Sequence, residues 1–172
     1  MPELFLPLLA LAAAGPQVQP PAVVARLPAC TADQLSIALD GEGGAFDGMS
    51  HSGALLVVRN VGPAACRVEG LPALSFRDAS GAVLDVGRRP PIGMHPGPVI
   101  LPVGLAPGAE ATSALRWVSG DAWGGGRCRR VASARLAIGG QSLAVAFAAT
   151  ICSPAGRPAQ VEQPVLRVDP VL

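Results

Sequence analysis

The chain has 172 residues, room for one domain, and its 13 basic residues stand against 12 acidic ones for a net charge of +1. That balance excludes a polybasic nucleic-acid binder, and 50% hydrophobic with only 15% charged residues excludes a disordered chain. Glycine (21) and proline (18) break long helices and favour short strands joined by turns. Every basic residue is arginine and Asn60 is the only asparagine, a pattern that reads as the coding bias of a GC-rich bacterial genome.

Residues 4–14 (LFLPLLALAAA) form an apolar run too short to span a bilayer but suited to a secretory signal. Ala12 and Ala14 supply an A-x-A cleavage site, so residues 1–14 are expected to be a signal peptide and Gly15 the first mature residue. The run lacks a preceding Arg or Lys and follows Glu3, so either the real start lies upstream of Met1 or the signal is atypical; a buried first helix is the competing reading. Residues 15–29, rich in Pro, Val and Ala, are expected to be a flexible lead-in. Leu27-Pro28-Ala29-Cys30 loosely resembles a lipobox, but Arg26 precedes it and lipidation of Cys30 would strand an odd cysteine.

From Cys30 to Leu172 the pattern predicts one domain. Leu35, Ile37 and Leu39 alternate toward Asp40-Gly41, and a Gly-rich loop (41–53) leads to the apolar run 54–58, closed by Arg59-Asn60. Short strands follow at 66–69, 73–77 and 82–86. The segment 87–98 (GRRPPIGMHPGP) is read as unable to hold a central strand, because proline lacks a ladder donor. Runs 99–105 and 109–118 flank Pro107-Gly108. Runs 131–138 and 143–151 flank Gly139-Gly140, a tight hairpin signal, and a last run covers 165–168. No segment sustains a 3.6-residue period, so about nine or ten short strands predict an all-β, antiparallel β-sandwich.

Cys30, Cys66, Cys128 and Cys152 include no C-x-x-C pair, which argues against a zinc knuckle or a redox dithiol and for two disulfides in an oxidising compartment. Four cysteines allow three connectivities. Folding back at Gly139-Gly140 brings Cys128 within about one residue of Cys152, so the expected bridges are Cys128–Cys152 and Cys30–Cys66. Matching Leu136 and Ile138 to the face of Leu143, Val145 and Phe147 leaves the cysteines one residue out of register. The pairing therefore predicts a bulge, either between Cys128 and Val131 or between Thr150 and Cys152.

These pieces resemble, in order, the bacterial secreted family of the domain of unknown function 4232. The matching residues are Cys30 before a first strand, LLVVRNVGPAAC (55–66), Gly70-Leu71-Pro72, Asp78 with Gly81, Leu105-Ala106-Pro107-Gly108, Leu115-Arg116-Trp117, then Cys128 and Cys152. The resemblance spans roughly residues 30–168. It implies an Ig-like β-sandwich and export, and it brings no activity and no catalytic residues.

Chemistry-bearing residues are sparse, and no catalytic, cofactor or metal site is expected. His51 and His95 fall in Gly/Pro-rich loops, and Ser50-His51-Ser52 lacks the G-x-S-x-G setting of a hydrolase nucleophile. Asp40, Glu42 and Asp47 could offer oxygens to Ca²⁺, but the twelfth position of an EF-hand frame is His51. Arg88-Arg89 and the Arg127, Arg129 and Arg130 cluster are the basic features; Arg127, Arg129 and Arg130 read as a solvated strand edge, with an anionic envelope polymer as a conceivable partner. Trp117 is expected in the core; Trp123 is read as a cap over its end, with a ligand-stacking residue as the alternative, and so few aromatics argue against a carbohydrate-binding module. The expected function is a non-enzymatic, secreted or periplasmic module that binds a protein or envelope component, with no nucleic acid and no transmembrane segment. An accessory structural protein and a secreted hydrolase with an unseen site are the alternatives.

Overall fold

The computed structural model describes residues 21–89 and 99–168. The expected signal segment and His95 lie outside them. Eleven strands follow in order: β1 (Leu35–Asp40), β2 (His51–Asn60), β3 (Cys66–Val68), β4 (Leu74–Arg77), β5 (Val86–Arg89), β6 (Val103–Leu105), β7 (Glu110–Val118), β8 (Arg127–Ile138), β9 (Gln141–Ser153), β10 (Ala159–Glu162) and β11 (Arg167–Val168). One sheet has the order β1-β2-β7-β10-β5, with β11 also on β7; a second is β4-β8-β9, and β3 pairs with β6. β9 lies against β1, β7 and β10, so the two larger sheets form layers of an all-β sandwich.

Strand alternation decides which side chains fill the space between layers. In β2, Ala54, Leu56 and Val58 point inward; in β7, Ala111, Leu115 and Trp117 do. Ala134, Leu136, Phe147 and Ile151 answer from the facing sheet. Trp117 meets Phe147 edge-on at 5.3 Å, and Phe147 in turn lies 5.9 Å from Phe76, so three of the few aromatics join both layers.

Both expected disulfides are present, Cys30–Cys66 and Cys128–Cys152. Gly139 and Gly140 both have positive φ (54° and 79°), as the hairpin between β8 and β9 requires. Its register pairs Leu136 with Leu143 and Cys128 with Cys152. The bulge that reconciles them lies elsewhere than expected. Val131 faces Ala149 whereas Ser133 faces Ala146, so Ala132 opposes the two residues Phe147 and Ala148 of β9. Core packing accounts for that position, because the extra residue falls where Phe147 turns in to meet Trp117.

Two other expectations are corrected. The sandwich is not wholly antiparallel, since β5 runs parallel to β10. The strand expected at 82–86 begins only at Val86 and runs through Gly87-Arg88-Arg89; it holds an edge, which agrees with the prolines that follow. β10 had no counterpart in the sequence reading. Within the expected lead-in, Pro21–Val24 form a helical turn and Val24 is buried. Pro28 and Cys30 exchange backbone hydrogen bonds with Arg67, so this part of the segment is held against β3.

Asn60 has a structural role that the coding-bias reading did not foresee. It is fully buried, its amide N–H groups donate to the carbonyls of Ala64 (2.8 Å) and Leu105 (3.0 Å), and its Oδ1 accepts the Gly62 N–H (2.9 Å). One side chain thus folds the 61–65 turn and ties it to β6.

Candidate functional site

A cleft of about 470 Å³ opens between the layers where β9 bulges, lined by Leu39, Asp47, Ser52, Trp117, Phe147 and Thr150 among others. It contains part of the Ser50-His51-Ser52 cluster, but not in a hydrolytic arrangement. His51 and Ser52 begin β2 instead of lying in a loop, opposite Val118 and Trp117 of β7. Neighbours on a strand point to opposite faces, and the Ser52 hydroxyl donates to Asp47 Oδ1 at 2.8 Å instead of meeting an imidazole. The acids of the preceding loop are likewise engaged separately: Asp40 Oδ1 accepts the Glu42 N–H at 2.8 Å. Among the described residues no three His, Cys, Asp or Glu side chains gather to hold a metal ion.

A second region lies at the Cys128–Cys152 end of the molecule. A cleft of about 450 Å³ is lined by Arg89, Trp123, Pro154, Arg157, Pro158 and Gln160. A smaller one, about 270 Å³, shares Arg157 and Pro158 with it and adds Arg127, Arg129, Ser153 and Asp85. The fold explains this convergence. β5 delivers Arg89 beside β10, which carries Gln160, and Arg89 Nε approaches the Gln160 side-chain oxygen at 3.4 Å. β8 delivers Arg127 and Arg129, paired with Ser153 and Ile151 of β9. The β9–β10 turn then carries Arg157 between them.

All four arginines are exposed, and the only ion pair among the described residues is elsewhere, Arg59–Glu110 at 3.5 Å. The edge reading of Arg127, Arg129 and Arg130 holds in part: β4 joins β8 only from Ser133 onward, so this stretch of β8 has β9 on one side alone. Arg88 turns aside, its guanidinium donating to the Leu71 carbonyl at 3.3 Å.

Trp123 does not cap the core. It stands 44% exposed in the loop after β7 and lines the larger cleft. The loop is built around Asp121, whose carboxylate accepts the N–H groups of Trp123 (3.1 Å), Gly125 (2.8 Å) and Gly126 (3.0 Å). Those bonds, Gly126's and Trp123's foremost, hold the Asp121 carboxyl below the usual carboxylate range. Gly124 and Gly125 have positive φ, and a Cβ at Gly126 would lie 2.7 Å from the Ser153 carbonyl oxygen. The run of three glycines is therefore what allows the tryptophan to be displayed here.

Sequence reasoning named Arg89, Arg127, Arg129 and Trp123 but did not join them, and it missed Arg157 and Gln160. Only the β5–β10 pairing, between segments some seventy residues apart, brings them together.

The family model described as Domain of unknown function (DUF4232) matches residues 30–172. The chain belongs to the DUF4232 family. In this DUF4232 domain the matched region begins at the cysteine that closes onto β3 and includes both disulfides and both arginine clefts. No curated protein and no solved structure matches the chain. Among its described residues no helix is long and apolar enough to cross a membrane.

Proposed function

We propose that this DUF4232 domain is an exported, non-enzymatic binding module of the bacterial envelope, working in the periplasm or outside the cell. One observation carries the reading: arginines with no ion pair among the described residues and a displayed tryptophan line two adjoining clefts at one end of a disulfide-braced sandwich. Loops fixed on a stiff scaffold are where sandwich domains place recognition. The Cys128–Cys152 bridge fixes the strand ends from which the arginines project, and two disulfides suit an oxidising compartment. The bond of the Ser52 hydroxyl to Asp47, with His51 as its strand neighbour on the opposite face, supports recognition over nucleophilic catalysis.

Binding is tested with the oxidised protein and a fractionated envelope from a host that encodes the family. The wild-type protein is expected to be retained, and Arg157→Ala to be released at lower salt. Equal elution of the two refutes the assignment of the site. Turnover in a panel of ester, peptide and glycoside substrates, abolished by Ser52→Ala, refutes the non-enzymatic reading. Export is tested by amino-terminal sequencing of native material, with Gly15 expected and cytosolic Met1 as the opposing result.

A further inference from the structure

Resting on that reading of the site, we infer that the paired clefts bind an acidic glycan: a linear saccharide chain bearing carboxylates at intervals. The charge argument is local. The two clefts are lined by Arg89, Arg127, Arg129 and Arg157 against the single acid Asp85. Glu162 stands opposite Arg89 in the β5–β10 ladder without pairing to it, and Asp121 is occupied with the backbone of its own loop. A nearly neutral protein has therefore concentrated at one end guanidinium groups that have no ion pair among the described residues. Guanidinium is the side chain suited to fork-like binding of carboxylates.

Two features extend the inference from an anion to a glycan. First, the clefts adjoin across Arg157 and Pro158, so one ligand can place an anion in each cup while passing over the ridge between them. That geometry fits a chain with repeated charges better than a single small anion. Second, the larger cup sets the exposed indole of Trp123 and the amide of Gln160 beside Arg89 and Arg157. A flat ring for a sugar's C–H face, an amide for hydroxyls and guanidinium groups for the carboxylate are the parts an acidic sugar requires. The scarcity of aromatics tells against recognition of neutral sugars by stacked rings, and here charge replaces the missing platforms.

Titration calorimetry of the full chain with disulfides intact, at low and high salt, tests this with four probes: polygalacturonate, neutral dextran, poly-L-glutamate and inorganic polyphosphate. Polygalacturonate is expected to bind, more weakly at high salt, and dextran not to bind. Arg157→Ala, and separately the double variant Arg127→Ala/Arg129→Ala, should each weaken polygalacturonate binding by about tenfold or more. Arg130→Ala, outside both clefts, should change it by less than about twofold. Trp123→Ala should weaken polygalacturonate binding by about threefold while leaving polyphosphate binding unaltered.

Equal affinity for poly-L-glutamate or polyphosphate, with Trp123→Ala silent on polygalacturonate, overturns the glycan in favour of charge alone. If no polyanion binds but envelope retention still depends on Arg157, the ligand class is wrong and the binding module stands. If that retention fails too, both readings fall.

Discussion

Replacing Asn60 is the sharpest test of how this sandwich is held together. The side chain makes three hydrogen bonds inside the protein, two as donor to Ala64 and Leu105 and one as acceptor from Gly62, with no exposure to water. Each such bond contributes about 1 kcal/mol net, and the Leu105 carbonyl, whose bond is the fully buried one, adds up to about 2 kcal/mol on losing its partner. Asn60→Ala should therefore destabilise by about 3–5 kcal/mol, a large fraction of the roughly 5–15 kcal/mol a domain of this size possesses. Urea unfolding of the oxidised protein, read as a shift in midpoint at constant slope, measures this. Asn60→Asp sharpens the test. An ionised carboxylate can still accept from Gly62 but cannot donate to either carbonyl, so at neutral pH it should be worse than alanine. Burial raises the folded-state pKa of that carboxyl above its unfolded value of about 3.9. The variant is then closest to wild type below that value and loses stability as pH rises toward the folded pKa. A cost under about 1 kcal/mol for Asn60→Ala, or an Asn60→Asp variant indistinguishable from it at pH 7, refutes the reasoning.

Cys30 and Cys66 are buried whereas Cys128 is exposed, so limited reduction followed by alkylation should label Cys128 and Cys152 first; labelling of Cys66 at the same rate contradicts the burial. Removing either bridge by paired Cys→Ala should cost about 3–4 kcal/mol in urea unfolding if loop closure in the unfolded chain dominates. The Asp121 carboxyl is depressed by its backbone partners, so its hold on the loop is complete above the ordinary carboxylate pKa and is lost as pH falls through the lower folded value. Hydrogen exchange at the Trp123, Gly125 and Gly126 amides should accelerate in Asp121→Ala at neutral pH and converge with wild type in strong acid. Trp117→Ala should cost about 3–5 kcal/mol, and Trp123→Ala less than about 1 kcal/mol, by the same unfolding measurement.

What the sequence made legible was local or turn-defined. Alternation at 35–39 and 131–138 and the apolar run at 54–58 marked strands, and two glycines marked the hairpin whose register chose the disulfides. The bulge followed from counting, but its place did not, because Phe147 settles it by packing across the sandwich onto Trp117. β5 and β10 escaped for a related reason. Val86-Gly87-Arg88-Arg89 and Ala159-Gln160-Val161-Glu162 are four residues each, too short for periodicity, and their parallel pairing leaves no trace in either segment. The arginine clefts were hidden with them. The role of Asn60 went unread because a single buried amide carries no pattern at all.

The position of β10 also has a consequence for how the fold is acquired. β10 occupies the inner seat between β7 and β5, yet it is translated after both. A nascent chain that has reached only residue 158 can form the β1–β2–β7 and β4–β8–β9 ladders, but β5 then has no ladder neighbour and the seam beside β7 stands open. Completion of the larger sheet waits for residues 159–162, and with it the union of Arg89 with Arg127, Arg129 and Arg157. Such a chain stays incompletely closed during synthesis, and its arginine clefts come together among its last folding events.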